Sequence, residues 1–90
     1  MTTETRAQII EELKPALVGA SNGRAKVDQV REESLIIEDI GLASLDLLEL
    51  RFELEERWET RITDEEAIRL KTIRDVVDLI AQRLQGGRVQ

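Results

Sequence analysis

The sequence predicts an all-α fold: a four-helix bundle with a long loop after its first helix and a short third helix. Three observations predict it. Apolar residues recur at intervals of three and four in three separate stretches, the spacing that lines one face of a helix. Thr63 and Thr72 each stand directly ahead of a helical pattern, where a hydroxyl caps the first turn. Ninety residues with a hydrophobic share of 41% can enclose one core and no second one. Residues 1–90 therefore read as a single domain, with 85–90 a frayed tail.

The first stripe is Ile9, Ile10, Leu13, Leu17 and Val18, on a helix running from about Thr5 to Val18, with Thr5 and Gln8 spaced as a capping box. Pro15 predicts a kink or early fraying there, because proline lacks the amide and crowds the preceding turn. Gly19, Ser21, Asn22 and Gly23 break the period and open a long connection to Ala43. Val27, Val30, Leu35, Ile36, Ile37, Ile40 and Leu42 lie within it, so it packs against the bundle. The strongest helix spans Ser44 to Glu59, free of Gly and Pro, with Leu47, Leu50, Leu54 and Trp58 as its core stripe. Thr63 with Glu66 forms a Thr-x-x-Glu capping box for a short helix reaching about Leu70. Thr72 caps the last helix, whose stripe is Ile73, Val76, Val77, Ile80 and Leu84, and which ends before Gly86 and Gly87.

Composition excludes much chemistry. Without cysteine or histidine the chain has no thiol nucleophile, no disulfide, no Cys/His zinc site and no imidazole acid-base catalyst. Neighbouring carboxylates such as Glu55 and Glu56, or Glu65 and Glu66, point to different sides of a helix and make no acid-base pair. No calcium-loop spacing is present, so no metal site is expected. The expectation is a protein that is not an enzyme. A net charge of -6 and only two aromatics, Phe52 and Trp58, argue against nucleic acid. No apolar run reaches the roughly 20 residues that span a bilayer, and the N-terminus has no signal-peptide layout, so a cytoplasmic protein without membrane contact is expected.

The charge is concentrated. From Ser44 to Glu66 nine acids face three arginines, net -6, which equals the charge of the whole chain. Asp46, Glu49, Glu53 and Glu56 step by three, four and three and share one helix face. Leu45, Leu48 and Phe52 form an apolar row beside them, a pattern that is more often core than binding surface, although an apolar strip flanked by acids is also what a docking site needs. The acidic field would steer a basic partner, and Arg51, set among the acids, reads as a device for rejecting wrong ones. Ser44 opens this helix after Gly41, Leu42 and Ala43, and is by itself an N-cap. A hydroxyl at a helix start is also where free amides favour a phosphate, although Asp46 adds a like charge that would push such a group outward.

The run Glu38-Asp39-Ile40-Gly41-Leu42-Ala43-Ser44-Leu45-Asp46-Leu47-Leu48-Glu49-Leu50 resembles the modification site of acyl carrier proteins, in which a Ser-Leu pair opens the second helix after a Gly turn. The likeness continues through Leu54-Glu55-Glu56, Trp58, Ile62, Thr63-Asp64-Glu65-Glu66-Ala67 and Thr72-Ile73, covering roughly Val30 to Leu84. The resemblance implies a covalent 4'-phosphopantetheine on Ser44, attached by a phosphopantetheinyl transferase, which would make the chain a phosphoprotein. The arm's thiol would hold acyl intermediates as thioesters for fatty acid, polyketide or related biosynthesis, so the missing cysteine is supplied by the cofactor. It further implies that acyl-loading and condensing enzymes with basic patches meet Leu45, Asp46, Leu48, Glu49, Glu53 and Glu56, in brief encounters with a monomer. One position departs: Ala43 stands where the family usually has an acid, or in peptidyl carriers often histidine, ahead of the modified serine. The layout from Met1 to just past the last helix is that of a free-standing carrier. Two other readings remain, a carrier-shaped adaptor that is never acylated and binds basic partners through the acidic helix, and a helical protein that self-associates through Leu45, Leu48 and Phe52.

Overall fold

The computed structural model describes residues 3–86, and their side chains from 5 to 84. Four α-helices follow one another: α1 (Thr3–Ala20), α2 (Asp46–Trp58), α3 (Asp64–Ala67) and α4 (Ile73–Gly86). A π-helical turn, Ile36–Ile40, interrupts the connection between the first two. Helix α1 packs against both α2 and α4. The core between them is aliphatic: Ile9, Leu13 and Leu17 meet Leu50, Leu54, Ile62, Ile73, Val76, Val77 and Ile80, all essentially buried. Each such side chain contributes about 1.5–3 kcal/mol of apolar transfer free energy.

The stripes predicted for α1, α2 and α4 are thus core stripes, with Leu47 and Trp58 half-buried at the margin of the cluster. The boundaries of α1 differ from expectation. Thr5 lies inside the helix and not at its N-cap, because helical hydrogen bonding already begins by Thr3. The fraying expected at Pro15 does not occur: α1 continues to Ala20. Pro15 and Glu11, whose carbonyl loses its donor, are both exposed, while Leu13, Ala16, Leu17 and Ala20 hold the opposite face in the core. Helix α4 runs to Gly86, one position past the expected end. The expected frayed tail falls, from 87 on, outside the described residues.

After α1, Asn22 and Gly23 take positive φ values of 57° and 85°, and the Gly23 amide closes the helix by donating to Val18 O at 2.9 Å. The long connection is ordered, as its apolar content predicts. Ile36, Ile40 and Leu42 are buried, and Val27 and Val30 pack against the core. Leu35 and Ile37, however, remain exposed on the outer side of the π-helical turn. The connection is also stitched to the start of α4 by an isolated antiparallel bridge, Leu35 to Thr72, with Ile36 N donating to Lys71 O and Ile73 N to Ser34 O, both at 2.9 Å. Ion pairs add a second stitch. Glu32 receives both Nε and Nη2 of Arg6 from α1 at 3.0 and 2.7 Å, and Nε of Arg74 from α4 at 3.2 Å.

Both threonine caps form as predicted. Thr63 Oγ1 accepts from Glu66 N while Glu66 Oε1 accepts from Thr63 N, and Thr72 does the same with Asp75. Helix α3 is shorter than predicted, ending at Ala67 with a turn over 68–69, and it buries none of its own residues. It is held from outside by Arg83, which grips the Glu66 carboxylate, and by Arg51, which reaches Asp64.

Candidate functional site

Two buried anchors, Ile40 and Leu42, flank Gly41, and the backbone must reverse between them to bury both. Gly41 does so at φ 98° and ψ 20°, a conformation open to glycine, while its amide donates to Ile36 O and Ile37 O. Past Leu42 the chain emerges: Ala43, Ser44 and Leu45 are exposed, Leu45 at 85%. The amides of Asp46, Leu47 and Leu48 then donate three residues back, to the carbonyls of Ala43, Ser44 and Leu45 at 2.9, 3.2 and 3.3 Å, which tightens the entry into α2.

Ser44 is not the N-cap predicted from sequence. Its Oγ makes no hydrogen bond among the described residues, and Leu45, directly ahead of α2, makes no side-chain cap either. The capping comes from inside the helix: Asp46 Oδ2 accepts from Ala43 N at 2.8 Å. That is half of a capping box, whose other half is missing because Ala43 has no side-chain acceptor. The first-turn amides expected to be free are therefore mostly engaged, and only those of Ser44 and Leu45 have no acceptor among the described residues.

Asp46 differs from expectation too. The same Oδ2 accepts from Arg24 Nη2 at 2.6 Å, so its charge is matched and does not bear unopposed on Ser44. The Ala43 amide, and with it the Arg24 guanidinium, hold the Asp46 carboxyl below the usual carboxylate range against an opposing desolvation. Nothing in the sequence pattern marks Arg24, which lies 22 residues away and reaches the site only through the fold.

The four acids predicted to share a face divide in two. Glu49 and Glu56 are exposed. Glu53 is half-buried, pairs with Arg57 at 3.5 Å and lies against Gly19, where a Cβ would come within 3.1 Å of its Oε2. With Asp46 held by Arg24, two acids have no ion-pair partner among the described residues and two are tied back. Arg51 turns toward α3, pairing with Asp64 and lying 3.7 Å from Glu55. Of the two roles open to the apolar row beside the acids, the structure excludes core packing. Leu45, Leu48 and Phe52 are 85%, 54% and 53% exposed. Between this helix, the π-helical turn and α3 lies a groove of about 190 Å³, walled mainly by Leu35, Ile36, Ile37, Leu47, Ile68 and Leu70.

Among the described residues no group of three or more acids is placed to hold a metal ion, and no helix is long and apolar enough to cross a membrane. An exposed serine thus stands on a glycine-turned loop, ahead of a helix that is acidic along one face and apolar along the next. Residues 24–80 match the family model described as a phosphopantetheine attachment site. The chain belongs to the acyl carrier protein family. It is 40% identical over 72 residues to an acyl carrier protein of Wolinella succinogenes, spanning 80% of this chain and 92% of that one. An acyl carrier protein of Campylobacter fetus is 53% identical over 53 residues, 59% of this chain and 69% of its own. One from Chlorobium phaeobacteroides is 35% identical over 79 residues, 88% and 99% respectively. The function is that of an acyl carrier and not of an enzyme, and the group this family attaches is 4'-phosphopantetheine.

Proposed function

We propose that Ser44 is the residue that carries 4'-phosphopantetheine, and that this carrier presents acyl thioesters to successive enzymes of fatty acid or polyketide biosynthesis in the cytoplasm. The observation that supports it most is the Ser44 hydroxyl itself. It is exposed and unbonded, two residues ahead of α2, on a loop pinned at Ile40 and Leu42. Its own amide and that of Leu45 are free to meet an anion, and Arg24 lies alongside through Asp46. When bound, the prosthetic group supplies the thiol that this cysteine-free chain lacks. The chain's residues contribute position and exposure. No ionisable side chain among the described residues is hydrogen-bonded to Ser44 Oγ, so in this reading the base that takes its proton during attachment belongs to the transferase.

Partner recognition divides along α2. Glu49 and Glu56 offer unpaired charge to basic patches on the transferase and on acyl-loading and condensing enzymes, with Glu53 and Asp46 adding partly compensated charge. Leu45 and Leu48 supply the apolar contact. Because the flanking acids would repel a second copy, the strip suits a monomer meeting foreign partners. The apolar groove beside α3 offers shelter to part of an attached chain. In this reading residues 1–90 act as one carrier domain.

Coexpression with a broad-specificity phosphopantetheinyl transferase tests the assignment. Intact mass gains one arm in the wild type and none in Ser44→Ala. A wild-type mass unchanged with several transferases, or an arm retained by Ser44→Ala, overturns it.

A further inference from the structure

The segment that carries Arg24 is fastened to the loop that carries Ser44. Ser21, fully buried, donates its hydroxyl to Leu17 O at 2.9 Å and accepts from Ala25 N at 2.8 Å, fixing the turn that follows α1. Arg24 N donates to Ser21 O at 3.2 Å, and Lys26 N donates across to Ile40 O at 2.8 Å. Residues 24–26 therefore run beside residues 40–43, so closely that a Cβ on Gly41 would lie 3.9 Å from Arg24 O. The side chain reaches the same loop. Arg24 Nη2 is 2.6 Å from Asp46 Oδ2, and that oxygen is 2.8 Å from the amide of Ala43, the residue bonded to Ser44.

A guanidinium has five N–H donors, and among the described residues the Arg24 head meets one acceptor. The two arginines of α2 are committed elsewhere, Arg51 to Asp64 and Arg57 to Glu53. Arg24 and Asp46 cancel, and residues 41–45 add no charge, so the loop from 41 to 46 taken with Arg24 has no net charge until an anion is placed on it. The guanidinium is planar, so its remaining donors form a pre-organised fork, and the pairing with Asp46 keeps that fork beside the loop, which lowers the entropy lost when it binds an oxyanion.

We infer that Arg24 is a positioning residue for the phosphodiester joined to Ser44, bonding its free oxygens while Asp46 steadies the guanidinium. The inference rests on the reading of Ser44 as the attachment residue. Wild type, Arg24→Gln and Arg24→Lys, each apo and loaded, provide the test, with intact mass establishing loading. By nitrogen-15 NMR, the Arg24 Nε–Hε resonance moves on loading while that of Arg57 stays. By phosphorus-31 NMR, the phosphodiester resonance of the loaded wild type shifts between low and high salt as the pair is screened; Arg24→Lys keeps this salt dependence and Arg24→Gln loses it. An Arg24 resonance unmoved in protein that mass shows to be loaded overturns the inference and leaves the attachment reading intact. So does equal salt dependence in wild type and Arg24→Gln. A wild-type mass that never changes overturns the attachment reading, and this inference with it.

Discussion

Replacing Gly41 with alanine separates the conformational demand of the loop from its packing. At φ 98° the residue lies beyond the region where side-chain-bearing residues are comfortable, yet a Cβ there meets nothing closer than Arg24 O at 3.9 Å. Clash is thus negligible, and the penalty is conformational, about 1–2 kcal/mol for a left-handed L-residue. Part is offset because alanine also restrains the unfolded chain, by about 0.4–1 kcal/mol, which leaves a net loss near 1 kcal/mol. For a domain of this size that loss lowers Tm by about 4–8 °C. Thermal melts followed by circular dichroism measure it, and Gly41→Asn, which tolerates positive φ better, loses less. Gly23→Ala is the control for location: its φ is 85° and its surroundings are open, so its melt falls comparably. Loading by a transferase slows only for Gly41→Ala, because only that turn aims Ser44. An unchanged melt for Gly41→Ala, or an asparagine variant as unstable as the alanine one, would refute the reasoning.

Three further predictions follow from named contacts. Glu32 is held at about 2, chiefly by the two hydrogen bonds from Arg6 and then by Arg74, with burial opposing. Its folded value is depressed, so its contribution is present above the ordinary value of 4.5 and disappears as pH falls toward 2. Discounted for solvent screening, that contribution is about 1 kcal/mol. Urea midpoints should therefore separate wild type from Glu32→Gln at pH 7 and converge toward pH 2, and a gap that stays constant contradicts this. On the proposal that Ser44 carries the arm, Ala43→Asp supplies the acid that the resemblance places ahead of it, and one added exposed ion pair with the transferase raises the kcat/KM of loading about two- to fivefold; equal rates show that Ala43 is harmless. Neutralising Glu49 and Glu53 together to Gln weakens binding to a basic partner enzyme about tenfold at low salt. The effect shrinks at high salt, and a salt-independent loss speaks against electrostatic docking.

Where periodicity and capping chemistry decide structure, the sequence was readable. Leu50 and Leu54 are core because α2 has no competing element, and the Thr63 and Thr72 caps are local, each closing within three residues. Other features had no local signal. The π-helical turn over Ile36–Ile40 depends on bonds such as Ile40 N to Leu35 O and is only five residues long, too short for apolar spacing to separate a helical turn from a packed loop, so the stretch read as loop. The persistence of α1 through Pro15 depends on which side of the helix meets the core. At the candidate site, the place of Ser44 ahead of α2 and the acids along that helix were legible. The restraint of Asp46 by Arg24 and of Asp64 by Arg51 was not, because those pairs span 22 and 13 residues and exist only once the segments are folded together.

The most direct measurement is the intact mass, with peptide mapping, of this protein purified from its own cells while the pathway it serves is running. The account predicts a population carrying one phosphopantetheine on the peptide that contains Ser44, with part of it further acylated. Protein that is active in its cells yet unmodified at Ser44 contradicts it, and leaves a carrier-shaped adaptor that works through its acidic helix alone.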